Sequence, residues 1–159
     1  MQWSSPVLAM WRRLRRWPCG GWLFTRAVCL KAPYFASIAP RILQLEPALC
    51  VGTIRRHRRI TNHLGTIHAI ALCNLAELVG GLMTDVSIPP DMRWIPRGMQ
   101  VRYLKKALGT LTATAKPAQP FRSADAGYEA AVAVTVVDAR GEAVFDTVIA
   151  MWVSPRPRA

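Results

Sequence analysis

Residues 66–83 read TIHAIALCNLAELVGGLM, and they predict the longest helix of the chain. The larger apolar residues recur at three- and four-residue spacing, as on one helix face; they are Ile67, Ile70, Ala71, Leu75, Leu78 and Leu82. A second stripe consists of small residues, namely Ala69, Cys73, Ala76 and Gly80. Small side chains let a helix approach a sheet or a partner closely. Because both faces suit packing, we expect this helix to be enclosed rather than to lie on a surface.

The segments on either side of this helix have the patterns of β-strands. One precedes it at residues 49–61, and the others follow at residues 99–108, 110–116, 128–137 and 143–153. Gly109 predicts a tight turn between the first two strands after the helix. The stretch from Asp138 to Glu142 predicts a hairpin between the last two. One long helix among consecutive strands predicts an α+β fold, in which an antiparallel sheet of five or six strands wraps around the helix.

The N-terminal part of the chain is predicted to be helical and basic. Residues 7–31 carry interleaved tryptophans and an interruption at residues 18–21, and residues 33–45 predict a second short helix. We interpret residues 1–31 as an extension packed on one domain at residues 32–154, with a tail at residues 155–159. Arginine together with tryptophan also suits a lipid headgroup region, so peripheral membrane contact through residues 1–31 is the alternative.

Length and composition restrict the class of protein. The 159 residues are 52% hydrophobic, which is enough for one buried core. No uncharged apolar run approaches the roughly 20 residues of a membrane span, and the first arginines follow the short apolar stretch instead of preceding it, unlike a secretory signal. The four cysteines are far apart and lack ligand spacing. They predict reduced thiols in a cytoplasmic protein, without a metal site.

The positive charge is concentrated in the first part of the chain. The net charge is +12, of which residues 1–61 contribute +10 and residues 62–159 contribute +2. A localised basic zone suits an anionic partner, such as the phosphates of a ligand, a membrane surface or nucleic acid. Nucleic acid is not expected, because aromatic residues make up only 8% of the chain and no zinc-finger or RNA-recognition pattern is present.

The segment from Asn62 to Glu77 contains the candidate chemistry. Glu77 follows His68 by nine residues, and nine steps of about 100° rotate a helix by about 180°. The two side chains therefore face opposite sides of one helix. In a two-fold dimer, Glu77 of one chain could meet His68 and Asn62 of the other. If these residues act together, the protein must be a dimer.

The start of the helix offers a second element of a site. The first backbone N–H groups of a helix lack intrahelical partners and carry partial positive charge, so those at His68 and Ala69 could hold a carbonyl oxygen that gains negative charge. Gly65 permits the tight turn before them. Glu77 could act as a general base or as a nucleophile. The alternatives are a capping role for Asn62, a strand–helix bridge at His68 and an exposed helix edge at Glu77.

The pattern Asn62-x-x-Gly65-x-x-His68, followed by Glu77, resembles the active-site segment of hotdog acyl-CoA thioesterases related to the phenylacetic-acid-pathway enzyme. Residues 32–35 and 62–81 are still closer to an uncharacterised branch of that superfamily. The resemblance implies a hotdog fold, a homodimer or dimer of dimers, and hydrolysis of acyl-CoA or acyl-carrier-protein thioesters. Coenzyme A would then be part of the substrate, and no resident cofactor is expected.

The same resemblance implies a role for each residue. Asn62 would orient water or substrate, His68 would position the thioester, and the N–H of Ala69 would polarise its carbonyl. Glu77 of the partner chain would be the base or nucleophile. Many relatives have glycines where this chain has Ala69 and Ile70, and many have aspartate in place of Glu77. These differences concern the identity of the substrate more than the fold.

The phosphates of coenzyme A require cations at the mouth of a groove. Arg97, followed by Gly98 before a strand, is the preferred candidate, and Arg58, Lys105 and Lys106 are weaker ones. For each cation the alternative is a solvated surface charge. Two other functions remain open at this point: a non-catalytic acyl-CoA or acyl-chain binder on the same fold, and a basic protein associated with membranes or nucleic acid.

Overall fold

The computed structural model describes residues 5–157, which begin with two helices. Helix α1 spans Pro6–Leu14, and the hydroxyl of Ser5 caps it by accepting a hydrogen bond from the N–H of Leu8 at 3.1 Å. Helix α2 spans Gly20–Lys31. The predicted interruption of the N-terminal helical segment is present as the turn between α1 and α2.

The predicted helix at residues 33–45 is wrong in its second half. A 3-10 helix at Pro33–Ile38 ends where Ala39 takes a left-handed conformation with φ of 46°. Strand β1 follows at Arg41–Glu46. Pro40 has no N–H to continue the helix. The chain instead pairs with the next strand, β2, with a bulge between Ile42 and Gln44, and local sequence does not reveal this pairing.

The six strands form one antiparallel sheet in the order β1-β2-β4-β5-β6-β3. Their bounds are β2 Leu49–Arg55, β3 Met92–Tyr103, β4 Thr110–Pro117, β5 Tyr128–Val137 and β6 Ala143–Pro155. The predicted β5–β6 hairpin is confirmed. The strand predicted at residues 49–61 is too long, because β2 ends at Arg55 and Arg58–Ile60 form a 3-10 turn.

The predicted hairpin around Gly109 is also wrong. Gly109 does take a left-handed φ of 68°, but β4 pairs with β2 and β5. Strand β3 instead pairs with β6 along its length. Strand β3 is therefore separated from both of its neighbours in sequence, β2 and β4, and it forms one edge of the sheet.

Helix α3 spans Ala69–Ser87 and lies against the concave face of the sheet. It is long and apolar enough to cross a membrane by length and composition alone, but 72% of its most apolar window is buried in the fold. The approach is close: a Cβ added at Gly52 of β2 would lie 2.7 Å from Val79, and one at Gly80 would lie 2.9 Å from Ile149 of β6. The predicted enclosed helix and α+β architecture are confirmed, and a sheet wrapped around one central helix is the hotdog fold.

The two edges of the sheet differ. At β1, the outward N–H of Ile42 donates to the hydroxyl of Thr25 at 2.9 Å, so α2 covers part of this edge. At the other end, the long edge of β3 has no strand beside it in residues 5–157. An open edge of this length is a ready template for pairing with another chain.

Candidate active site

The turn before α3 is organised by the side chain of Asn62. Its Oδ1 accepts hydrogen bonds from the N–H groups of Leu64 and Thr66 at 3.0 and 3.1 Å, and its Nδ2 donates to the Thr66 hydroxyl at 2.9 Å. Gly65 takes a φ of 75° within this turn, and its carbonyl accepts from the Arg56 guanidinium at 2.7 Å. Asn62 therefore stabilises the turn before α3, independently of any contact with substrate.

His68 caps the N-terminus of α3. Its Nδ1 accepts the N–H of Ile70 at 3.1 Å, and its own N–H donates to the carbonyl of Ile60. An Nδ1 that accepts leaves the proton of the neutral ring on Nε2. The exposed imidazole thus presents an Nε2–H donor beside the start of the helix.

Ala69 is the first residue of α3, and its N–H has no hydrogen-bond acceptor within residues 5–157. The next two N–H groups, of Ile70 and Ala71, donate to the Nδ1 and the carbonyl oxygen of His68. One backbone donor at the positive end of the helix therefore remains free, on the residue that follows His68. Together with the Nε2–H of His68, this donor can stabilise an oxygen that gains negative charge.

His68 lines a cavity of about 380 Å³, which we call the His68 cavity. It is lined by Tyr34, Ser37, Ile38, Arg59, Ile60, His68, Ile70, Ala71 and Asn74. Asn74 is only 6% exposed and donates from Nδ2 to Ser37, while its Oδ1 has no partner in the described part of the chain. Such a buried acceptor favours a bound water or a ligand N–H.

Glu77 lies on the opposite face of α3, at a larger cavity of about 640 Å³ that we call the Glu77 cavity. Its walls come from α1, α2, α3 and β3, and most of the lining is apolar. The carboxylate itself is exposed in the single chain. His68 and Glu77 line different cavities, so one chain does not bring them together, as the nine-residue spacing predicts.

Two charged residues near Glu77, Asp85 and Lys31, are not predicted by the sequence. Asp85 lines the Glu77 cavity eight residues further along α3, together with Lys31 of α2. Burial raises the pKa of Asp85, although the Trp94 side chain and the charges of Lys31 and Arg156 act in the opposite direction. Eight steps of about 100° place Asp85 about 80° from Glu77 around the helix, so both side chains can reach one cavity.

Cys73 lies one turn before Glu77 on the exposed side of α3. Its Sγ is 3.4 Å from the hydroxyl of Tyr103, the last residue of β3. This hydrogen bond, reinforced by partial burial, raises the pKa of Tyr103 to about 12. The contact ties the exposed face of α3 to the open edge of the sheet.

The predicted phosphate-binding cations are distributed over the surface. Arg97 lies 3.7 Å above the ring of Trp152, and Gly98 sits at a bulge of β3, where the region around its Cα is open. Arg58 is exposed, but the neighbouring Arg59 is the one that lines the His68 cavity.

The weaker candidates differ in their surroundings. Lys105 forms an ion pair with Glu142 at 2.7 Å, whereas Lys106 is simply exposed. The 3-10 turn after β2 is what brings Arg59 to the cavity, and it was missed because the strand was predicted to continue.

In sequence, residues 20–153 match the family described as a domain of unknown function, DUF4442. No curated protein matches the chain in sequence. Among solved structures, the structural-genomics protein APC5556 is 41% identical, with a TM-score of 0.82; the match covers 94% of this chain and 98% of that one.

More distant structures share the fold. A thioesterase from Haemophilus influenzae is 15% identical, with a TM-score of 0.67, over 77% of this chain and 82% of that one. A protein from Pseudomonas aeruginosa, named a probable thioesterase, is 21% identical, with a TM-score of 0.68, over 78% of this chain and 88% of that one. At these identities the likeness establishes the hotdog fold of the chain.

Proposed function

Given that this chain belongs to the DUF4442 family and has the hotdog fold, we propose that it is a thioesterase that hydrolyses acyl-CoA or acyl-carrier-protein thioesters. The observation that carries the proposal is the free N–H of Ala69 at the start of α3, directly after His68, with a carboxylate on the opposite face of the same helix. The thioesterases among the structures of similar fold add support.

The proposed site requires two copies of the chain. His68 and Glu77 face opposite sides of α3, so Glu77 must approach the His68 of a second protomer. The open edge of β3 supports such pairing, because two antiparallel β3 strands would continue the sheet across a two-fold axis. Apolar residues that line the His68 cavity are also exposed in one chain, among them Ile70 and Tyr34. A second protomer would cover part of them.

In the proposed reaction, the thioester oxygen accepts hydrogen bonds from the Ala69 N–H and the His68 Nε2–H. The carboxylate of Glu77 from the other protomer takes a proton from a water molecule, and the oxygen of that water attacks the carbonyl carbon. The tetrahedral oxyanion is stabilised by the two donors. The carbon–sulfur bond then breaks, the proton on Glu77 passes to the departing sulfur, and the products are a carboxylic acid and a free thiol.

The cations and cysteines suggest further features of the substrate and location. Arg59 in the His68 cavity and its exposed neighbour Arg58 are positioned to contact an anionic carrier group, such as the phosphates of coenzyme A. Asn74 Oδ1 offers an acceptor for an amide N–H of a pantetheine arm. The four cysteines are free thiols, which supports a reducing, cytoplasmic compartment.

The test is a panel of acyl-CoA esters with release of the thiol monitored, comparing the wild type with Glu77→Ala. We expect the variant to lose at least about a hundredfold in kcat, the usual contribution of a positioned general base. Glu129→Ala is a matched control, because Glu129 is an exposed carboxylate on β5 and lines neither cavity. Full activity of Glu77→Ala would contradict the assignment of the base.

A non-catalytic acyl-CoA binder is the second candidate, and the apolar Glu77 cavity favours it equally. The same panel separates the two functions. If the wild type binds acyl-CoA esters and hydrolyses none, the chain is a binder. Sedimentation that shows only a monomer would contradict the shared site under either function.

A further inference from the structure

The Glu77 cavity has the size and lining of a binding site for an apolar ligand. A volume of about 640 Å³ lies within the range of ligand pockets, whereas voids larger than a water molecule are rare in protein interiors. Its walls include Met10 of α1, Ala27 and Val28 of α2, and Leu78 and Leu82 of α3. We infer that this cavity holds the acyl chain of the substrate, and that α1 and α2 determine the chain length accepted.

The Glu77 cavity extends along helix α3. Glu77 and Asp85 both line it and are separated by eight residues, which is about 12 Å along a helix. Between them the cavity is lined by Leu78, Gly81 and Leu82, so its central part along the helix is apolar. Asp85 and Lys31 bring charge to the lining beyond this stretch. The cavity therefore takes an apolar chain of limited length, with the reacting carbon beside Glu77.

This inference rests on the proposed function only in placing the carbonyl next to Glu77. The walls from α1 and α2 are elements of the same chain, and they lie outside the segment that resembles known active sites. Ligand binding can therefore be measured without catalysis.

The probe is a series of saturated fatty acids, from hexanoate to hexadecanoate, titrated into the full chain by calorimetry. Affinity is expected to rise about fourfold for each methylene, until the cavity is filled, and then to level off. Ala27→Phe and Met10→Trp fill the cavity from α2 and α1, and each should move the plateau to shorter chains. Ala9→Phe is the matched control, since Ala9 is on the exposed face of α1 outside the cavity.

Affinity independent of chain length, or a wild-type profile for both filling variants, overturns the inference. An absence of fatty-acid binding also overturns it, because the cavity is then occupied by a partner chain or closed. Hydrolysis of acyl-CoA without chain-length dependence would leave the proposed function intact and remove this assignment. Chain-length-dependent binding without hydrolysis would support the assignment of the cavity to the acyl chain and contradict the proposed function.

A separate surface lies on the outer side of α2. Trp22, Leu23, Arg26 and Leu30 fall within about 100° of the helix circumference, and Leu30 is 84% exposed. The preceding turn adds Trp17, which is 67% exposed. Phe24, on the other side of the helix, is buried against the domain. The outer face of α2 and the α1–α2 turn together form what we call the tryptophan face.

The charged residues of α1, α2 and the turn between them are all positive. Residues 5–31 contain exposed cations and no acidic residue; the cations are Arg12, Arg13, Arg15, Arg16, Arg26 and Lys31. None of them is in an ion pair within the described part of the chain. Exposed tryptophan and leucine among unpaired arginines match the interface of an anionic membrane. We propose that the tryptophan face docks on such a membrane.

The test is sedimentation of the full chain with vesicles of neutral lipid, with and without a phosphatidylglycerol fraction. Binding is expected only to the anionic vesicles, and Trp22→Ala with Leu30→Ala should abolish it. Arg16→Gln should weaken it about fivefold. Leu43→Ala is the control, because Leu43 is a half-exposed leucine on β1. Equal binding to neutral vesicles, binding to an RNA oligonucleotide but to no vesicle, or a changed oligomeric state of the double variant would overturn the proposal.

Discussion

Replacing Asn62 with alanine removes the acceptor that holds the turn before α3. Two backbone N–H groups and the Thr66 hydroxyl contact its amide, and Thr66 is only 8% exposed. A net hydrogen bond contributes about 0.5–1.5 kcal/mol, so the loss of the two backbone bonds should lower the free energy of unfolding by about 1–3 kcal/mol. For a chain of this length, each kcal/mol corresponds to a fall in Tm of roughly 2–4 °C.

The assay is urea denaturation of the wild type, Asn62→Ala, Asn62→Asp and His63→Ala. Asn62→Asp keeps the Oδ1 acceptor, and we expect it to stay within about 0.5 kcal/mol of the wild type. His63→Ala, an exposed change in the same turn, should do likewise. Wild-type stability of Asn62→Ala would refute the structural role. Because Asn62→Asp is expected to preserve the turn, any loss of hydrolysis in this variant can be attributed to the loss of the Asn62 amide NH2 group.

Two further substitutions test the surroundings of the site. Burial raises the pKa of Asp85, so the folded state binds its proton more tightly than the unfolded state does, and stability falls as pH rises above the ordinary value of 3.8. Asp85→Asn should therefore stabilise the chain at neutral pH, by no more than about 1 kcal/mol because solvent screens a partly exposed carboxylate. This advantage should be lost below the ordinary pKa; urea unfolding across pH checks this, and equal effects at neutral and acidic pH would contradict it. Thr25→Val leaves the N–H of Ile42 without its acceptor and should cost about 1–3 kcal/mol. Faster amide exchange at Ile42 is the measurement, and unchanged protection would show that α2 does not hold this edge.

The helix and the β5–β6 hairpin could be predicted because their signals are local. The periodicity of residues 66–83 and the turn at Asp138–Glu142 specify structure within a short stretch of chain. The pairing of β3 with β6 and the strand at β1 depend on contacts between distant segments. Periodicity does not contain that information, so it predicts a hairpin around Gly109 and a helix at residues 33–45 that the structure does not have.

The candidate site was predictable to a similar degree. Helical geometry alone separated His68 from Glu77, and the structure places them at different cavities. The walls of those cavities could not be predicted, because they come from α1, α2 and the 3-10 segments that fold back on α3. Arg59 and Asp85 were missed for this reason. The partnership of Glu77 with a second protomer stays a prediction.

That partnership can be tested directly with a heterodimer of Glu77→Ala and His68→Ala chains, purified through two different affinity tags. One of its two sites combines the intact His68 of the first chain with the intact Glu77 of the second, and the other site carries both substitutions. We predict that each homodimer is inactive on acyl-CoA and that the heterodimer recovers about half of the wild-type kcat per dimer. A heterodimer no more active than its parents would contradict the shared site.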